Sequence, residues 1–92
     1  MGELELERNC FNSVQNKQWE KAKKYCTELI IVDDEHHGGW AQLCIAEYHI
    51  GNNQNAYQYC RYAVLKGTQN PRVFITISEI ELENAFSKKS GK

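Results

Sequence analysis

Apolar side chains recur three and four positions apart along five stretches of the chain, as in Trp40, Leu43, Cys44 and Ile50, or Ala56, Tyr59, Cys60, Ala63 and Val64. This spacing gathers them on one side of a 3.6-residue helix. It predicts helices over about residues 3–15, 19–32, 39–50, 54–66 and 72–86. The stretches between are polar or carry Gly and Pro: Asn16 and Lys17; Asp33, Asp34 and Glu35; Gly51, Asn52 and Asn53; Gly67 through Pro71. Gly51 and Gly67 stand where a helix ends in a left-handed residue. Connections this short imply antiparallel neighbours.

The pattern also repeats. Ala22 and Ala56, Cys26 and Cys60, Cys10 and Cys44, Leu6 and Trp40, and Trp40 and Phe74 are each separated by 34 positions (for example 56−22). Tyr25 lies over Tyr59 at the same spacing. A fixed period of this length signals stacked supersecondary units. The period settles the fifth stretch, where Val73-Phe74-Ile75-Thr76-Ile77-Ser78 is rich in β-branched residues and alternates in part like a strand. Alignment puts Phe74 under Trp40 and Ile77 under Leu43, and a lone strand has no sheet to join, so a helix is expected. Its second half, Glu79-Ile80-Glu81-Leu82-Glu83, mixes carboxylates into the apolar face, as a closing helix that meets water requires.

The unit resembles the tetratricopeptide repeat, a 34-residue helix-turn-helix with a W-x2-L-G-x2-Y, A-x3-F, P pattern. Trp40-Ala41-Gln42-Leu43 supplies the opening; Cys44 stands for the glycine, Glu47 for the tyrosine, and Ala22-x3-Cys26 and Ala56-x3-Cys60 keep the alanine. Asp34 and Thr68 take the place of the closing proline, although Pro71 follows and suits the first turn of a helix. The resemblance implies an all-α fold, a right-handed superhelical stack of antiparallel helix pairs with about five helices. It divides the chain into one domain over residues 1–86, with a first repeat at about 3–34, a second at 37–68 and a closing helix at 71–86; residues 87–92 are expected as a flexible tail.

Composition adds exclusions. Eleven basic against twelve acidic residues leave a formal net charge of −1, so no overall field draws the chain to nucleic acid or to an anionic membrane. No apolar run reaches bilayer length, which argues against membrane insertion, and the first residues, Met1-Gly2-Glu3-Leu4-Glu5, are acidic where a secretory signal is basic and then apolar. A cytoplasmic protein is expected. No Gly-rich phosphate loop, G-x-S-x-G elbow or H-E-x-x-H motif occurs. Glu79 and Glu83 read as solvated helix positions, so no catalysis and no cofactor are expected.

Four cysteines raise the question of a bridge or a metal. No C-x-x-C pair is present, and the repeat puts Cys10 with Cys44 and Cys26 with Cys60 at two positions that, by the resemblance, pack between the helices of a unit. Buried, reduced thiols acting as small apolar residues are expected. Adjacent His36 and His37 diverge from a helix start and read as an exposed loop, with no metal.

Stacked helix pairs leave a concave surface lined by the first helix of each repeat. The inward positions of the resembled family fall on Glu7, Phe11, Val14 and Gln15, then Ala41, Ile45, Tyr48 and His49, then Arg72, Ile75, Glu79 and Leu82. These imply a module that binds another protein, as a peptide or a helix, in an adaptor or chaperone-like role. The alternative is a structural segment that stacks with itself or with further repeats, for which Trp19, Tyr25, Ile80 and Phe86 are the candidate end residues. Some family members grip acidic chaperone tails with a clamp of lysine, arginine and asparagine. Here Glu7, Phe11, Gln42 and Thr76 occupy those places and Arg72 alone keeps a charge, so such tails are expected not to bind.

Overall fold

Five helices follow one another in the computed structural model, which describes residues 1–90, with side chains to residue 87. They are α1 (Glu3–Gln15), α2 (Trp19–Val32), α3 (His37–Ile50), α4 (Asn53–Leu65) and α5 (Pro71–Ser90). The arrangement is an all-α stack: α1 pairs with α2 and α3 with α4, α2 packs on α3, and α5 closes against α3 and α4.

The turns follow from local chemistry. Gly51 ends α3 at φ 107° and Gly67 follows α4 at φ 99°, as their places in the sequence predict. Pro71 opens α5 at its first position, where its missing N–H costs nothing. Helix α3 begins two residues earlier than its apolar pattern suggests, because His36 caps it: its Nδ1 accepts from the Gly39 backbone N–H at 3.0 Å. Of the exposed-loop reading, exposure holds for His37, which is the first residue of α3, and fails for His36, which is half-buried. Gly38 and Gly39 permit this tight entry. A Cβ on Gly38 meets the Phe11 ring at 2.8 Å, and one on Gly39 meets Ile30 and Leu29 at 3.0 and 3.1 Å. Helix α5 runs to Ser90, past the expected end at Phe86, since no Gly or Pro interrupts residues 87–90. The remainder of the expected tail, residues 91–92, lies outside the described residues.

Two adjoining clusters of small side chains form the core. Leu6, Cys10, Ala22, Cys26, Leu29, Leu43 and Ala46 make the first, and Ala41, Cys44, Cys60, Ala63 and Val73 the second. Alanine and cysteine at the contacts let the helices of a pair approach closely. The cysteines are fully buried, as expected, but they are not free thiols: Cys10 is joined to Cys26 and Cys44 to Cys60. The Cα atoms stand 4.8 and 5.0 Å apart, inside the range a disulfide spans. The physical reason is that the two cysteine positions of a repeat face each other across its antiparallel helices, so each unit carries its own bridge.

Glu47, standing for the motif tyrosine, is 2% exposed at the centre of α3. Its Oε1 accepts from Asn52 Nδ2 at 2.7 Å, and Oε2 lies 3.7 Å from Lys23 Nζ on α2. Trp40 packs against Tyr59 and Tyr62 of α4, and its Nε1 donates to the Asp34 carbonyl at 2.7 Å.

Candidate partner-binding groove

The twelve expected residues lie on α1, α3 and α5, the first helices of the successive units. They separate into a pocket, a buried floor and a polar ridge. The pocket, about 500 Å³, lies where Glu7 and Phe11 of α1 face the start of α3 and the α4–α5 connection. Ala41 closes its base, with Gln42, His36 and Thr68 beside it. Phe11 is held here by the first core cluster on one side and the His36 ring, edge-on at 6.3 Å, on the other. His36 Nε2 also stands 3.6 Å from Glu7 Oε2.

Burial removes two residues from the expected surface. Ala41 and Ile45 are only 1% and 3% exposed, because their positions on α3 are enclosed by α1 on one side and α5 on the other. They form the floor beneath the more exposed side chains of the face. Val14 is half-buried against the first cluster, and Gln15 is exposed beside it.

The ridge joins the far end of α3 to α5. Tyr48 donates its hydroxyl to Glu83 Oε2 at 2.8 Å, and Asn53 donates to the other oxygen at 2.6 Å. The Glu83 hydrogen bond, then burial, then the charges of Glu79 and Glu83 push the Tyr48 pKa up to about 12. The phenol therefore stays protonated and donates at any ordinary pH. His49 stacks flat on Trp19, with ring centroids 4.1 Å apart. Burial, and then the Arg72 charge, hold its pKa below the ordinary imidazole value; Glu79 pulls upward and Lys17 adds to the lowering. Tyr48, His49, Arg72 and Glu79 thus share one electrostatic neighbourhood. Ile75 and Leu82 are exposed along α5.

Among solved structures, the chain is similar to the type III secretion translocator chaperone SycD of Yersinia enterocolitica. The TM-score is 0.79 at 21% identity, over 88% of this chain and 56% of that one. The likeness is one of fold, an all-α helical-repeat stack of tetratricopeptide-like kind. This chain spans a little over half the length of SycD. No family model matches, and neither does any curated protein.

Sequence reasoning missed the other walls of the groove. His36 and Thr68 line the pocket beside Gln42, which stands at a clamp place, and Glu83 and Asn53 anchor the ridge. A signal existed for His36, a polar residue ahead of a Gly-Gly helix start. Glu83 is one residue past Leu82 on the same turn, and only the packing of α5 against α3 makes it a partner of Tyr48. Among the described residues, no three His, Cys, Asp or Glu side chains converge as a metal group, and no helix is long and apolar enough to cross a membrane.

Proposed function

We propose that this chain is a non-catalytic, chaperone-like module that holds a peptide or helix of another protein on its concave face. The observation that carries the reading is the pocket around Phe11, an aromatic edge set in polar walls on the face that helical repeats use for binding. The likeness to SycD, by name a translocator chaperone, supports the class of role. The charge of the groove narrows the ligand. Glu7, Glu79 and Glu83 outnumber Arg72 along it, so a segment with an apolar anchor and basic flanks fits, and an acidic one is repelled.

The test is selection of peptides from a random display library on the purified chain, followed by calorimetry on the winners. Enrichment of basic-apolar peptides is expected. Tyr48→Ala then weakens binding by about 1–3 kcal/mol while the melting curve stays near that of the parent, and Phe11→Ala, whose ring also packs on the first core cluster, weakens binding and lowers the melting temperature together. Tyr48→Phe separates the ring from its bond to Glu83. Trp40→Ala, which empties a contact between α3 and α4, instead costs about 3 kcal/mol of stability. Peptides that bind Phe11→Ala and Tyr48→Ala as tightly as the parent would place the binding surface elsewhere and sink the proposal.

A further inference from the structure

The two ends of the stack are built differently. The face with which a first helix meets the preceding unit is buried in α5 at Val73, Thr76 and Ile80, and positions 34 earlier in α3 are Gly39, Gln42 and Ala46. The same positions of α1 are Glu5, Arg8 and Asn12, all exposed. This end is polar, as a terminal repeat in water requires. The opposite end is open. The face that α1 and α3 turn to their own second helices, at Leu6 and Cys10 or Trp40 and Cys44, is exposed in α5, where Phe74 is 47% accessible and Ser78 and Glu81 face water. Among the described residues no sixth helix covers it. A cavity of about 480 Å³ remains between α4 and α5, lined by Tyr57, Arg61, Val64, Leu65, Phe74 and Ile77. Ile80, expected as an end contact, is buried against the stack instead, and Trp19 is occupied by His49.

We infer that this end pairs with the same end of a second copy, giving a two-fold dimer through α5. Head-to-tail stacking is disfavoured, since it sets the apolar end on Glu5, Arg8 and Asn12. The second helix of a repeat runs antiparallel to the first, and a two-fold axis across α5 makes the other copy's α5 antiparallel too. Each copy then supplies both the groove and the helix that fills it. An axis near Ile77 and Ser78 sets the small serine against isoleucine and brings Phe74 opposite Glu81 of the second copy. Charge agrees with that register. Arg61 shares the cavity with Phe74 and lies over the Tyr57 ring, with no carboxylate within ion-pair distance among the described residues. Glu81, held by the Tyr57 hydroxyl at 3.1 Å, is the group the axis delivers to Arg61 of the other copy. The interface lies at the end of the stack and leaves the groove free, so this inference and the binding reading fail separately.

Sedimentation equilibrium of the full chain from about 5 to about 500 μM tests it, a range that brackets the micromolar affinity of a small interface. The mass is expected to rise from one chain to two and no further. Phe74→Glu, an exposed position whose change leaves the helical circular dichroism and melting intact, keeps the chain monomeric. Arg61→Glu and Glu81→Arg each weaken the dimer about tenfold, and the double reversal restores it. A single-chain mass across the whole range, growth beyond two chains, or a dimer untouched by Phe74→Glu would each overturn the inference.

Discussion

Glu47 is the side chain on which the centre of the molecule depends most visibly. A carboxylate in a core is tolerated only where its oxygens are matched. Asn52 donates to one, and Lys23, half in water, stands near the other. Removing the amide leaves Oε1 buried without its donor, so Asn52→Ala is expected to destabilise the fold by about 1–3 kcal/mol. Lys23→Ala, whose charge is screened by solvent, costs under about 1 kcal/mol. Urea titrations of the two variants check the order. His49 gives a pH dependence of definite sign. Its folded pKa lies below the unfolded value of about 6.5, so the unfolded chain takes up the proton first. Stability on this account is intact above that value and is lost as pH falls from it toward the folded pKa. The groups facing the ring are Trp19, Tyr48, Arg72, Glu79 and Lys17. The urea midpoint should fall between pH 7.5 and 5.5 by more in the parent than in His49→Phe, with the imidazole titration followed by proton NMR. Equal falls in both proteins would remove His49 from the account.

Helix pairing is the scale at which the disulfides act. Each bridge closes a separation of 16 residues within one repeat, which in the chain-entropy view stabilises by about 3 kcal/mol. Melting with and without a reductant is expected to show a large drop, reproduced by Cys10→Ala with Cys26→Ala in the first repeat or Cys44→Ala with Cys60→Ala in the second. Thiol labelling separates this from four free cysteines. The oxidised protein stays unlabelled even when denatured, and takes four labels only after reduction. In a reducing cytoplasm the same positions hold four buried thiols, and the melt in reductant measures the stability left there. Helix α5 has no such staple, because Ser78 takes the place of cysteine at that repeat position and among the described residues no second helix faces it.

For the whole molecule, the proposed binding role makes charge along the concave face the selector of ligand class. Glu7 and Phe11 replace the first two groups of a chaperone-tail clamp, and Glu79 and Glu83 face the same groove. An acidic C-terminal peptide of that kind is therefore expected to show no heat of binding at concentrations up to about 100 μM. Low-micromolar binding would mean that the groove charge has been misjudged. The two ends of the stack add a second whole-molecule property, polar at α1 and apolar at α4 and α5, which directs association to one end.

The helices, their antiparallel pairing and the repeat were legible in the sequence, because periodicity of 3.6 and of 34 is a property of spacing and survives without coordinates. Trp40 against α4, the glycine ends at Gly51 and Gly67 and the start of α5 at Pro71 all follow from it. Spacing fixes which side of a helix a residue occupies, but a central helix has neighbours on several sides. Only the tertiary structure could show that α3 is enclosed by α1 and α5, turning Ala41 and Ile45 into floor and leaving Tyr48 at the surface. It alone joined positions on different helices: cysteine to cysteine within each repeat, His36 to Glu7, and Tyr48 to Glu83. Distances between elements depend on how closely their faces approach, and that is set by every side chain in the contact at once.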